Sequence, residues 1–437
     1  MTADAPEGSR LRRWYATSLV GHPDGRDFRR LWVGDTISQL GTQVGGIALP
    51  LLAVSVLAAD ELQMGLLATF ENLAFLVVGL PAGAWVDRMR KRQVLIWGDV
   101  VRGVALLSLP VAWLLGVLSF PLVLVVALVV GVATVFFDVA YQSYLPSLVP
   151  SERISEGNAK LQVSASVAQV AGPGLGGVLV RLIGAPLVLL VDAVSFLGSV
   201  WFTLRIRHRE DPPNRADRRP LHVEVGEGLG FVARQPLLRR IVATTAIGNL
   251  FHAVGGALLV LFAIRDLGVG EAGLGLALSL GAVGGLVGAL AAGPLIRLVG
   301  EGRTIALSLL PTLPFAALVP LAAGQPRPVA IAMLGVSGAV FGVGVVVYNV
   351  AQVSFRQRLC PRPLLGRMNA SVRFVVWGTM PVGAFAGGVI GAEAGVLAAL
   401  WVGVLGQSLA VLPVLLSPLV RMRDLPRHLD EHAGDPA

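Results

Sequence analysis

The chain has 437 residues, a net charge of +8 and a charged fraction of only 14%, against roughly 25% in a soluble domain. Apolar residues supply 54% and glycine 53 positions with no period of three, which excludes a water-soluble globule, a disordered chain and a collagen-like fibre and matches about twelve crossings of roughly 20 residues. The single cysteine, Cys360, excludes an intrachain disulfide and a cysteine-based zinc site, and no metal or cofactor is expected.

Residues 1–29 contain Arg10, Arg12, Arg13, Arg26 and Arg29 without a run of seven apolar residues, so they read as a cytoplasmic arm rather than a cleavable signal peptide. Apolar stretches then predict helices over 30–57, 63–86, 94–117, 121–143, 160–182 and 186–205, a six-helix bundle spanning 30–205. The polar stretch 206–238, with Asp211-Pro212-Pro213 and Arg218-Arg219-Pro220, reads as a cytoplasmic linker in which 221–238 can form a short surface helix. Helices over 240–263, 271–296, 304–323, 328–350, 367–390 and 395–418 make a second bundle spanning 239–420, and 421–437 is a cytoplasmic tail. With both termini inside, the cytoplasmic segments hold 30 of the 35 basic residues, and the outer loops hold three, Arg181, Arg265 and Arg327. The basic charge is thereby assigned to the headgroups of a lipid bilayer and not to nucleic acid. Arginine outnumbers lysine 33 to 2, which points to a GC-rich genome and to the cytoplasmic membrane of a bacterium.

Shifting the sequence by 210 residues aligns Arg29-Arg30 with Arg239-Arg240, Val44-Gly45-Gly46 with Val254-Gly255-Gly256, Glu61 with Glu271, and Gly65-Leu66 with Gly275-Leu276. At a shift of 211, Pro150 meets Pro361, Asn158-Ala159 meets Asn369-Ala370, and Gly176-Gly177 meets Gly387-Gly388. One offset over six spans implies a duplicated six-helix unit. Because six is even, both copies enter the membrane from the same side, as a parallel repeat about the membrane normal. The expected fold is therefore an all-α integral membrane protein of twelve transmembrane helices in two parallel six-helix repeats. Two such halves facing each other, with a site between them, form a rocking transporter.

After the second span comes Gly83-Ala84-Trp85-Val86-Asp87-Arg88-Met89-Arg90-Lys91-Arg92. Its small residues let the helix end pack closely, and Asp87 followed by basic residues puts both signs at the cytoplasmic rim. Here the sequence resembles the major facilitator superfamily, whose loop between helices two and three runs Gly-x-x-x-Asp-Arg-x-Gly-Arg-basic. Gly83, Asp87, Arg88, Lys91 and Arg92 match, while Arg90 replaces the second glycine, and the degenerate copy Gly293-Pro294-Leu295-Ile296-Arg297 lacks the aspartate. In the fifth span, Ala171-Gly172-Pro173-Gly174-Leu175-Gly176-Gly177 is similar to the family's antiporter motif Gly-x-x-x-Gly-Pro-x-x-Gly-Gly, with Ala168 in place of its first glycine. Pro173 removes a backbone donor there, and the glycines allow bending and close approach. The family's fourth-helix arginine motif is absent from 122–144. Asn158-Ala159, Gly172-Pro173 and the echo Gly366-Arg367-Met368-Asn369-Ala370 resemble the drug-efflux branch with macrolide-efflux and enterobactin-exporter proteins.

A charge at span depth costs roughly 2.5 to 3.5 kcal/mol, so Asp35, Glu71, Asp99, Arg102, Asp138, Asp192 and Arg373 need reasons. Asp35, Gln39 and Gln43 recur every four residues as one stripe on the first span. The repeat sets Asp35 and Gln39 against Thr245 and Asn249 on the seventh span, near His252, and sets Asp138 against Asn349 on the tenth. The resemblance implies that helices one, four, seven and ten line a central cavity, which makes these seven polar positions other than Asp138 the expected substrate route. Asp35, Glu71 and Asp138 are the candidate proton carriers. Asp99 and Arg102, three apart on one face, read as a structural or gating pair; Arg373 can meet a carboxylate of the other half, and Asp87 the positive end of the eleventh helix near Met368. Asp192, on the sixth span, is expected to be peripheral.

His-Glu-x-x-His, Gly-x-Ser-x-Gly and Gly-x-x-x-x-Gly-Lys-Ser/Thr are all absent, so neither an enzyme nor a nucleotide-driven pump is expected. Energy then comes from an ion gradient. The resemblance implies a monomeric secondary active transporter that exports amphipathic small organic molecules by proton antiport with alternating access. Proton-coupled uptake of a small metabolite shares the fold and differs in direction; a receptor or scaffold without transport is the alternative of a different class.

Overall fold

The computed structural model describes residues 25–86, 88–150, 153–208, 210, 221–361 and 364–423. Every regular element among them is helical, as lipid demands of a backbone that must satisfy its own hydrogen bonds. The first half consists of Arg26–Ser55, a second span in two pieces (Glu61–Val77 and Gly79–Val86), Lys91–Leu114, Phe120–Leu148, Ile154–Ile183 and Ala185–Leu204. Helix Leu221–Arg234 lies in the connecting segment. The second half starts at Pro236 and consists of Pro236–Asp266, Gly270–Val299, Glu301–Leu321, Arg327–Leu359, Arg367–Ala394 and Val396–Leu415. Eleven described helices are long and apolar enough to cross a bilayer; the two-piece second span completes twelve.

Local chemistry accounts for the interruptions. Pro81 has no N–H to offer the Val77 carbonyl, and the second span breaks at Val78. At its start, Asp60 accepts from the Gln63 N–H at 2.8 Å while Gln63 accepts from the Asp60 N–H at 3.0 Å, a reciprocal cap. Pro311, Pro314 and Pro320 divide the ninth span into Glu301–Leu307, Thr312–Ala316 and Leu318–Leu321, with tighter bonds such as Thr312 N–H to Leu309 O (3.1 Å) bridging the gap.

Packing repeats as the sequence does. In the first half the first span packs on the fifth and sixth, the fourth on the second and third, and the third on the sixth; in the second half the seventh packs on the eleventh and twelfth, the tenth on the eighth and ninth, and the ninth on the twelfth. Each pairing has its counterpart six spans later. The halves meet through two main contacts, second span on eleventh and fifth on eighth, which the repeat exchanges with one another.

Both contacts are closest at the end of the bundle opposite the arginine-rich loops. A Cβ on Gly388 would lie 2.8 Å from Gly65 Cα, and one on Gly275 would lie 3.1 Å from Gly177 Cα. Only glycine lets these backbones touch. Ser279 Oγ accepts from the Gly174 N–H at 2.9 Å and Thr69 Oγ1 donates to Pro381 O at 3.3 Å, adding polar ties. A single apolar core runs through both halves at this arginine-poor end, from Leu52, Leu67 and Val188 to Leu258, Leu274 and Leu400. At the arginine-rich end there are two separate cores, one around Phe28, Leu95 and Tyr144, the other around Leu238, Phe355 and Met368. The bundle is closed at one end and divided at the other.

This arrangement distinguishes two kinds of glycine. Gly284 packs against Ala339 backbone inside the second half, so Gly284→Leu is expected to cut the yield of folded protein. Gly177→Leu should leave each half intact and part them at the arginine-poor end. Double electron–electron resonance between labels at Leu182 and Leu321 checks this: the distance should lengthen in Gly177→Leu, and an unchanged distance in a folded variant contradicts the assignment.

Candidate functional site

Asp35 is buried on the first span and lies beside Tyr141 of the fourth span and Gln39 one turn along. The Tyr141 hydroxyl and the Gln39 side chain are the polar groups that address its carboxylate. On the third span Asp99 and Arg102 are both buried and form an ion pair, one turn apart on one face. The Arg102 guanidinium is clamped between the rings of Phe137 (4.1 Å) and Phe196 (4.4 Å), contributed by the fourth and sixth spans, a cation–π sandwich in a desolvated place. Asp35, Asp99, Asp138 and Asp192 all feel its charge. Arg102 thus acts on four carboxylates from four helices, and Ser199 of the sixth span also addresses the Asp99 carboxylate.

Asp192 is central to this cluster, not peripheral. Gly41 and Gly45 of the first span make room for it: a Cβ on Gly41 would stand 2.9 Å from Asp192 Oδ1, and one on Gly45 2.9 Å from Asp192 Cβ. Ser195 Oγ donates to the Asp192 carbonyl at 2.7 Å and lies 3.4 Å from Oδ1. The sequence signal was the Gly41-x-x-x-Gly45 pair on the span that Asp192 faces.

Asp138 is half-buried and senses both Arg102 and Arg373, the latter from the eleventh span. It is the carboxylate of the cluster that looks across to the second half. Arg373 lines a cavity of about 230 Å³ between spans two, four and eleven, with Gly83, Asn369 and Trp377; Trp377 meets Phe75 of the first half with ring centroids 5.1 Å apart. Glu71 stands apart, half-buried on the second span, with no charged group acting on it.

The expected second-half residues are held within their own half. Thr245 Oγ1 and the Tyr348 hydroxyl share a hydrogen bond of 2.8 Å, Asn249 Nδ2 donates to Val376 O at 3.0 Å, and Gln352 Nε2 donates to Asn349 Oδ1 at 3.2 Å. His252 stacks on Phe341. Gln39 and Gln43 are half-buried, with Gly172 pressed against Gln43. Of the antiporter-like segment, Gly172 and Gly176 therefore pack on the first span, while Gly177 and the Pro173 carbonyl meet the eighth. One short run joins the stripe-bearing helix to the other half.

At the arginine-rich end, the backbone N–H groups of Lys91 and Arg92 donate to the Glu210 carboxylate at 2.7 and 2.6 Å, and the Arg92 side chain donates to Thr203 O (3.2 Å) and Leu204 O (2.8 Å). Glu210 thus caps the third span, a role for which its position in a polar linker gave no signal. Arg88 is exposed, and Asp87 lies outside the described residues. Glu227 of the connecting helix pairs with Arg367 of the eleventh span.

The cluster makes Arg102 the group whose loss costs most. Arg102→Gln leaves buried carboxylates without their counter-charge, and unpairing a buried ion of this kind costs roughly 3 to 5 kcal/mol. Adding Asp99→Asn should recover part of that loss. Thermal unfolding of the purified variants reads both; equal stability of Arg102→Gln and the unsubstituted chain would contradict the cluster's role.

Residues 31–384 match the Major Facilitator Superfamily. The chain is 24% identical over 374 residues to the multidrug efflux pump Tap of Mycolicibacterium fortuitum, covering 84% of this chain and 89% of that one. It is 27% identical to the multidrug efflux pump Tap of Mycobacterium tuberculosis, covering 83% and 84%. Among solved structures, a bacterial homologue of the iron transporter ferroportin in its inward-facing state superposes with a TM-score of 0.73 at 19% identity, over 89% of this chain and 98% of that one. The nucleoside transporter NupG superposes with a TM-score of 0.67 at 13% identity, over 89% and 97%. A match over most of the length, on a fold of two six-span halves, means that the chain belongs to the major facilitator superfamily.

Proposed function

We propose that this secondary-transporter-like membrane protein exports amphipathic small organic molecules by proton antiport, working as a monomer by alternating access. The observation that carries the reading is the set of Asp35, Asp99, Asp138 and Asp192 around Arg102, with Arg373 of the other half acting on Asp138 alone, in a half that touches its partner closely at one end only. Two guanidiniums cannot neutralise four carboxylates, so the remaining negative charge is balanced by protons or by a substrate's own charge. Competition between the two for one site is the physical content of antiport.

In this reading the arginine-rich end faces the bacterial cytoplasm, following the positive-inside rule, and both termini lie there. The division between the two cores then opens inward. Substrate enters from the cytoplasm along Asp35, Gln39 and Gln43 and the facing residues Thr245, Asn249, His252 and Asn349. Rocking of the halves about the fifth and eighth spans exposes the cluster outward, where protons displace the substrate and return with the cluster to the inside. Asp35 handles both substrate and proton, Glu71 is a second carrier, and Asp138 is held by Arg102 and Arg373. The segment Gly83, Asp87, Arg88, Lys91 and Arg92, with Asp99, Arg102 and Arg373, governs switching. Similarity to pumps named for multidrug efflux supports the direction, as does the antiporter-like run Gly172, Pro173, Gly176 and Gly177. The run at Asn158-Ala159 supports placement in the branch with macrolide-efflux and enterobactin-exporter proteins.

The test uses purified protein in vesicles with an imposed pH gradient and a panel of lipophilic drugs, macrolides and siderophores. Asp35→Asn and Glu71→Gln should each abolish uphill transport while downhill exchange remains measurable. Full uphill transport in both variants contradicts coupling through these carboxylates.

A further inference from the structure

The second half contains a cavity of about 170 Å³ that no residue of the first half lines. Its walls come from spans seven, eight, nine, ten and twelve, and its space comes from small residues: a Cβ on Gly256 would meet nothing within 4 Å, and one on Gly255 only Leu400 Cδ2 at 3.8 Å. Three polar side chains reach it from three different spans, His252, Ser337 and Gln407. None of them has a hydrogen bond to another protein group among the described residues. The His252 ring is fixed against Phe341, with centroids 4.8 Å apart and planes 6° from parallel.

The repeat shows what the chamber replaces. At the same offsets of 210 and 211 residues, Gly403 stands where the first half has Asp192, Gln407 where it has Phe196, and Gly255 where it has Gly45. In the first half Asp192 fills the space beside Gly45 and Phe196 clamps Arg102. In the second half Gly255 faces Gly403 directly, with a Cβ on Gly403 only 3.1 Å from Gly255 N, and the charged cluster has no counterpart among the described residues. One copy of the duplicated unit has filled its interior with ions, and the other has left it apolar and open.

An apolar void needs no polar wall, and three unpartnered polar side chains facing one are costly unless something answers them. We infer that this chamber is a binding site for an uncharged ring compound, of one ring with a small hydrogen-bonding substituent. An apolar cavity of about 150 Å³ accepts a benzene-sized guest, and the absence of any charged side chain from its wall excludes an ionic one. The ring lies among Leu259, Leu278 and Leu400, and its substituent exchanges hydrogen bonds with His252, Ser337 and Gln407. His252 also belongs to the proposed substrate route, so the inference deepens the transport reading by assigning a site in the second half, and binding is measured without flux.

The probe is 4-fluorophenol, followed by 19F NMR with the full chain in lipid nanodiscs and protein-free nanodiscs as the background for partitioning. The unsubstituted chain should show a saturable signal above that background. Gly256→Leu, which fills the chamber, should remove it, and Gln407→Leu should weaken it by roughly tenfold, the effect of about one lost hydrogen bond. Thermal unfolding establishes that each variant is folded; if Gly256→Leu is not, Gln407→Leu decides. No saturable signal in the unsubstituted chain, or an unchanged one in Gln407→Leu, overturns the site. Loss of gradient-driven transport in Asp35→Asn with probe binding intact would separate the two readings.

Discussion

Backbone contact between the halves at Gly65 with Gly388 and Gly177 with Gly275 is the constraint on which the rest of the structure depends. In lipid the hydrophobic effect gives helices little reason to associate, so close approach and the dispersion it brings carry the load. Glycine at all four positions lets the second span lie on the eleventh and the fifth on the eighth with nothing between. These contacts lie at the arginine-poor end, where one apolar core also crosses both halves, and the halves are left free to differ at the other end. A larger residue at any of the four would push the halves apart without disturbing either bundle.

The two halves share a fold and have diverged in chemistry. The first half concentrates its charge around Arg102, stacked between Phe137 and Phe196 and facing Asp35, Asp99, Asp138 and Asp192. Burying such a group is expensive unless its charge is used. The second half ties Thr245 to Tyr348 and Asn249 to the eleventh-span backbone and keeps its interior uncharged. Duplication supplied two equivalent frames, and the side chains within them have diverged: buried ions gather in one, and the other holds an uncharged cavity. The fifth span connects the two, since Gly172 and Gly176 pack on the first span and Gly177 on the eighth.

Much of the architecture was legible in the sequence because lipid leaves so few solutions. The lengths of the apolar runs, the arginine distribution and the offset of 210 to 211 residues led to two parallel six-helix units, and the interhelical pairings repeat accordingly. The pairing of Asp99 with Arg102 followed from helical spacing. What could not be read was proximity between helices: that Phe137 and Phe196 close over Arg102, or that Asp192 belongs with them, depends on how the third, fourth and sixth spans rotate against one another. The interruptions at Val78 and through 308–311 were implicit in Pro81 and Pro311, yet a proline within a span leaves open whether the helix bends or breaks. Glu210 was hidden for a different reason, since its cap on the third span is formed by a residue more than a hundred positions along the chain.

The central claim is that protons and substrate compete for the carboxylates around Arg102 and move in opposite directions. It is tested most directly by reconstituting the purified chain in vesicles loaded with a pH-sensitive dye, with no imposed gradient, and adding an outward or inward substrate gradient. The account predicts that downhill substrate movement drives protons the opposite way, so that the lumen changes pH in step with substrate flux and in the sign set by its direction. Substrate flux with no change in luminal pH would contradict it.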